Sequence, residues 1–129
     1  MSEPLFRALL VLFGALAFGT GLWLIASPGT FFDQIAPFAP RNDHFMRDIG
    51  TFELALGAAF FIAVRLPSWR APVLFFAAVQ ATAHAINHLV DISETDPGWL
   101  GPFNFAVIAA TAVALWWLVS VAWRSPSGT

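Results

Sequence analysis

The chain contains no cysteine, and this absence excludes several kinds of site. Without thiols there can be no disulfide, no thiolate-bound metal, no iron–sulfur cluster and no covalent c-type haem. Charge is also scarce, because only 11% of the residues are charged, whereas a soluble domain carries about 25%. With 58% hydrophobic residues, the composition predicts an integral membrane protein in contact with the lipid bilayer. The net charge of −2 and the lack of a basic cluster argue against nucleic acid as a partner.

Apolar segments of about 20 residues or more make up most of the sequence, and each can cross about 30 Å of hydrocarbon. They cover about residues 5–26, 45–64, 71–90 and 99–123. The second is the least apolar, because it contains Arg47, Asp48 and Glu53. The sequence therefore predicts an all-α integral membrane four-helix bundle with antiparallel helices, forming a single domain over residues 1–129. A short interfacial segment is expected between helices 1 and 2.

Two Xaa-Pro pairs predict where helices begin. Ser27-Pro28 and Asp96-Pro97 each place a capping side chain before a proline that can occupy the first helical position. We therefore expect the first pair to begin the interfacial helix and the second to begin the last span. The short loop at residues 65–70 predicts that the second and third spans form an antiparallel hairpin. The first apolar segment is longer than the core of a signal peptide, so it is expected to be a retained span.

The arginines predict the orientation in the membrane. One predicted side carries Arg7, Arg65, Arg70 and Arg124, and the other carries Arg41. By the positive-inside rule, both termini are expected to be cytoplasmic. The loop after the third span contains carboxylates and no positive charge, so it is expected to face outward.

Polar side chains form one stripe along the third segment. At about 100° per residue they fall within an arc of about 100° on a helix. The stripe consists of Gln80, His84, Asn87, His88 and, at the mouth of the segment, Asp91. The opposite side is apolar, which suits lipid. Because polar groups are costly inside a membrane, the stripe is expected to face the bundle interior and to mark a functional site.

Depth in the membrane predicts which side chains of the second segment meet the stripe and form a polar pocket with it. Counted from the hairpin at 1.5 Å per residue, Glu53 and His84 lie at about 18 and 20 Å. Arg47 and His88 lie further from the hairpin, at about 25–27 Å. If the hairpin makes the two helices neighbours, Glu53 pairs with His84 and Arg47 with His88. Asn104, near the start of the fourth segment, would close the outer end of the pocket or serve as a cap or interhelical hydrogen-bond partner.

Glycines predict where the helices pack closely. Gly50, Glu53 and Gly57 share an arc of about 60°, so this face of the second segment is expected to meet a neighbouring helix. In the first segment, the predicted packing residues are Gly14, Gly19, Thr20 and Gly21.

Four interpretations of the polar pocket remain open. The polar groups can simply hydrogen-bond to one another and fix the helix register. His84 and His88, with Glu53 as a third ligand, can hold a metal ion such as zinc or non-haem iron. The pocket can relay protons or bind a quinone headgroup through His84, Asn87 or Arg47. Finally, the chain can be an accessory subunit of a membrane complex or a homo-oligomer. A hydrolytic enzyme is not supported, because no serine or threonine lies beside the histidines as a nucleophile.

Three features together resemble the DoxX-like group of small four-helix bacterial membrane proteins. They are Pro28 after the first span, Arg47-Asp48-x-Gly50 opening the second, and Gly57 seven residues later. The resemblance implies a four-helix bundle in a bacterial cytoplasmic (inner) membrane. It also implies a setting beside respiratory or sulfur-linked oxidoreductases, since some relatives are subunits of a thiosulfate:quinone oxidoreductase. The histidine-containing stripe is not part of this resemblance.

Overall fold

A computed structural model describes residues 1–124, and every regular element in that range is helical. The helices are α1 (Glu3–Ala26), α2 (Pro28–Gln34), α3 (Asp43–Arg65), α4 (Arg70–Val90) and α5 (Leu100–Arg124), with a 3-10 turn at Pro67–Trp69. The all-α prediction is confirmed. The four long helices begin and end within two residues of the four apolar segments.

Three of the helices are long and apolar enough to cross a membrane. They are α1, the segment Pro67–Val90 that contains α4, and α5. The helix α3 has the length but carries more charge, including Arg47, Asp48 and Glu53. Three such helices indicate a membrane protein, as the composition predicted.

The chain divides into two compact units, the N-terminal unit Met1–Val73 and a C-terminal unit that begins at Leu74. The N-terminal unit contains α1, α2, α3 and the first residues of α4. The C-terminal unit contains the rest of α4 together with α5. The single four-helix bundle and the hairpin between the second and third spans therefore stay predictions.

Glycines bring α1 and α3 into close antiparallel contact in the N-terminal unit. A Cβ built on Gly21 would lie 2.7 Å from the backbone oxygen of Gly50, and one built on Gly57 would lie 2.9 Å from that of Gly14. Real Cβ atoms do not approach neighbours so closely, so only glycine fits at these positions. The predicted packing role is confirmed for these four glycines, and the neighbour of the Gly50–Gly57 face is α1. It is wrong for Gly19, whose Cβ would meet nothing within 4 Å.

Arg70 links α1 and α3 at one end of this helix pair. The guanidinium of Arg70 donates to both carboxylate oxygens of Glu3, at 2.6 and 3.0 Å, and its Nε donates to the carbonyl of Ala63 at 3.3 Å. Arg7 also pairs with Glu3, at 3.2 Å. Arg7 and Arg70 thus lie at the same end of the N-terminal unit, as their predicted common side of the membrane requires. Arg41 lies at the opposite end of α3, where its pairing with an aspartate raises the pKa of its guanidinium.

Ser27-Pro28 begins α2, as predicted, with the proline in the first turn. The predicted capping role of the Ser27 side chain is wrong, because among the described residues its hydroxyl accepts no capping hydrogen bond from the helix backbone. The indole of Trp23 donates to the hydroxyl of Thr30 at 2.7 Å and packs edge-to-face on Phe31 at 5.3 Å between ring centres. These contacts fold the short helix back on the end of α1.

In the C-terminal unit, aromatic contacts hold α4 and α5 antiparallel. Phe75, early in α4, packs against Trp116 and Trp123 of α5, with ring centres 5.7 and 6.1 Å apart. Further along α4, the hydroxyl of Thr82 accepts a hydrogen bond from the indole of Trp116 at 3.0 Å. The buried face of α4 within this unit is mostly alanine and consists of Leu74, Ala77, Ala78, Ala81, Ala85 and His88.

The start of α5 differs from the prediction. The helix begins at Leu100 rather than at Asp96-Pro97. Thr95, which is only 6% exposed, supplies the acceptor for the helix start, because its hydroxyl accepts from the backbone N–H of Gly101 at 2.9 Å. A threonine just ahead of the predicted cap therefore satisfies one of the free N–H groups of the first turn.

Candidate functional site

Two histidines on successive turns of α4 form the most distinctive polar contact in the C-terminal unit. The Nε2 atoms of His84 and His88 lie 3.0 Å apart, and the two ring centres are separated by 4.7 Å. Their spacing of four residues places both rings on one side of the helix. His88 is buried, with 9% of its surface exposed, and His84 lies on the exposed side of the pair.

Two imidazole nitrogens at this distance need either a hydrogen-bonding proton or a cation between them. Each neutral imidazole has one nitrogen that donates a proton and one that carries a lone pair. If both Nε2 atoms presented lone pairs, they would repel. Either one ring donates its Nε2 proton to the other ring, or a cation lies between the two nitrogens. The pair of His84 and His88 is therefore suited to share a proton or to hold a metal ion.

The rest of the predicted stripe is divided between buried and exposed positions. Asp91 is half-buried at the end of α4, whereas Gln80 and Asn87 are exposed. The expectation that the whole stripe faces the interior is therefore wrong for these two amides and for His84. The buried centre of α4 is an alanine face, because small side chains let helices approach closely, and the stripe lies at its edge. The predicted lipid-facing side is confirmed as exposed, for example at Ile86, which is 59% exposed.

Two predicted pocket residues belong to the N-terminal unit. Glu53 is half-buried beside the glycines that face α1, and Arg47 is exposed six residues earlier in the same helix. Their pairing with His84 and His88 joins residues of different units and stays a prediction. Asn104 is half-buried in the second turn of α5.

Sequence reasoning missed one polar contact between α4 and α5. Thr82 donates its hydroxyl proton to the carbonyl of Ala78 at 2.7 Å and accepts from Trp116 at 3.0 Å. A threonine in an apolar helix and a tryptophan at matching depth on the next helix are the signal for this bond.

The donor set limits what the histidine pair can bind. No three His, Asp or Glu side chains within residues 1–124 are grouped so that they could hold a metal ion together. An ion bound by His84 and His88 would take its remaining ligands from water or from a bound molecule. Such a site is open, and open coordination positions are typical of sites that act on small ligands rather than of structural sites.

Comparison with protein-family models, curated proteins and solved structures found no match for this chain. The resemblance to the DoxX-like group therefore stays a prediction that depends on the residues quoted for it.

Proposed function

We propose that this chain is a four-span membrane protein that binds a divalent transition-metal ion through His84 and His88. The observation that carries the proposal is the 3.0 Å separation of the two Nε2 atoms. Neutral imidazole is the commonest metal-binding side chain of proteins, and two histidines four residues apart on a helix can turn toward one ion.

The membrane setting of the site is part of the proposal. We propose that α3 is the fourth span, since its glycine face packs closely on the apolar helix α1. Arg7 and Arg70 at one end of the N-terminal unit support cytoplasmic termini. The end of α4 would then lie at the outer surface, with the histidines in its last two turns. By the DoxX-like resemblance, the setting is a bacterial cytoplasmic membrane, and a quinone is a candidate for the open coordination positions.

The test is Co²⁺ binding to the purified protein in detergent, followed by the optical bands of the bound ion and by calorimetry. The chain has three histidines, so His44→Ala is a matched control, because His44 is solvent-exposed on α3 and pairs with Asp48. We expect about one ion per chain in the wild type and in His44→Ala. His84→Ala and His88→Ala should each weaken binding by at least about tenfold. Equal binding by all four proteins would contradict the proposal.

A second candidate function follows from the same contact. One imidazole can donate directly to the other, and a self-satisfied pair of this kind only fixes helix packing in an accessory subunit of a membrane complex. In that case the wild type binds no metal in the Co²⁺ titration. His88→Ala should then lower the thermal stability of the protein, and the protein should be stabilised by a co-purifying partner.

A further inference from the structure

An exposed seam runs along α4 beside the histidine pair. Its residues follow the alternating spacing of four and three that is typical of paired helices, and at 100° per residue they fall within an arc of about 80°. The seam consists of Phe76, Gln80, Ala83, Asn87 and Val90, all of them exposed. Its centre lies about 150° around the helix from the buried alanine face. The packing of the C-terminal unit therefore leaves this side of α4 uncovered.

The two amides make this seam unsuited to lipid. Gln80 and Asn87 lie two turns apart, about 10 Å along the helix axis. In hydrocarbon their N–H and C=O groups would lose the hydrogen bonds that water provides, and each unmet group costs free energy. The spacing of Gln80 and Asn87 brings both onto the same line, so one neighbouring helix could satisfy both.

We propose that a second copy of this chain covers the seam, so that α4 pairs with the α4 of its partner as a parallel dimer. In a two-fold dimer whose axis is normal to the membrane, residues that face the axis meet their own copies. A carboxamide carries both donors and acceptors, so Gln80 can bond to the partner's Gln80 and Asn87 to the partner's Asn87. The seam contains no charge, so nothing in it repels its own copy.

The apolar members of the seam favour the same arrangement. Ala83 lies between the two amides, and a small residue at that position lets the helices approach to hydrogen-bonding distance. Phe76 and Val90, which are 58% and 74% exposed, flank the amides and would become buried in the dimer. This inference does not depend on metal binding, because it uses neither His84 nor His88.

The absence of cysteine makes the seam directly testable. We would oxidise the single-cysteine variant Ala83→Cys in lipid vesicles with diamide and resolve the products on a denaturing gel. Ile86→Cys is the matched control, because Ile86 is also exposed but lies about 80° away from the seam centre. We expect a disulfide-linked dimer from Ala83→Cys and little from Ile86→Cys. Equal cross-linking at the two positions would overturn the proposal.

A second measurement tests the amides. The dimer fraction of fluorophore-labelled protein is followed by energy transfer as the protein is diluted in lipid. Replacing both amides, as in Gln80→Leu with Asn87→Leu, keeps the helix apolar and should weaken dimerisation by about tenfold or more. A wild type that is monomeric at all dilutions, as expected if a different protein covers the seam, would overturn the proposal. So would a dimer that the double variant leaves unchanged.

Discussion

The close contact of α1 and α3 makes Gly57 a position where one added methyl group should destabilise the protein. A Cβ at this residue would lie 2.6 Å from the backbone nitrogen and 2.7 Å from the Cβ of Phe18, and 2.9 Å from the carbonyl of Gly14. Two of these three neighbours are backbone atoms, which cannot rotate away as the end of a side chain can. In Gly57→Ala the two helices must therefore separate or shift along each other.

The size of the effect follows from two opposing contributions. Overpacking of a close contact costs about 1–3 kcal/mol. Replacing glycine by alanine inside a helix contributes up to about 1 kcal/mol in the other direction. The control Gly19→Ala has the same propensity gain without the clash, because a Cβ there meets no atom within 4 Å. The difference in unfolding free energy between the two variants should thus be the overpacking cost, about 1–3 kcal/mol.

The assay is reversible unfolding of the protein in mixed micelles with increasing sodium dodecyl sulfate, followed by far-ultraviolet circular dichroism. We expect Gly57→Ala to unfold at a lower mole fraction of the denaturing detergent than the wild type. Gly19→Ala should unfold at the same mole fraction or a higher one. If the two variants unfold together, the two helices do not pack in the way described, and the reasoning is refuted.

Two further predictions concern the C-terminal unit and use the same unfolding assay. Thr95→Val should destabilise the protein by about 1–3 kcal/mol, because it leaves the N–H of Gly101 without its acceptor, whereas Asp96→Ala should change stability by less than about 0.5 kcal/mol. The opposite ranking would mean that Asp96 caps α5. Trp116→Phe keeps the ring packing but removes the hydrogen bond to Thr82, so we expect a loss of about 0.6 kcal/mol. No change with Trp116→Phe but a clear loss with Thr82→Val would assign the stabilising role to the threonine's bond within α4.

The lengths of the helices could be predicted because the thickness of the bilayer determines the length of an apolar segment that crosses it. An apolar run must be long enough to cross the hydrocarbon, so its ends are marked by the first charged or turn residues. Ser27-Pro28 worked as a marker because proline fits the first helical turn and fits poorly beyond it. At Asp96-Pro97 the same pattern failed, since the nearby hydroxyl of Thr95 reaches the helix start from within the loop.

The pairing of helices was harder to predict than their lengths. The short loop between α3 and α4 predicts that these two helices are neighbours, and this stays a prediction, whereas the glycine face of α3 packs on α1. Gly14 and Gly21 on α1 have the same spacing of seven as Gly50 and Gly57 on α3, and this match was the available signal. Gly19 shows why glycine alone is insufficient, since it lies off that spacing and touches no neighbour.

The polar stripe of α4 shows a general limit of reading burial from polarity in a membrane. In water, a polar stripe faces solvent and the apolar stripe forms the core, so one pattern gives one answer. In lipid, the closest packing comes from small side chains, and α4 accordingly buries Ala77, Ala78, Ala81 and Ala85. The stripe is thereby divided into two parts, the histidines and the amides, which lie a few tens of degrees apart around the axis of α4. His88 is buried and meets His84, whereas Gln80 and Asn87 are left for a neighbour outside the C-terminal unit. Variants of the histidines should consequently change metal binding without changing dimerisation, and variants of the amides should do the reverse.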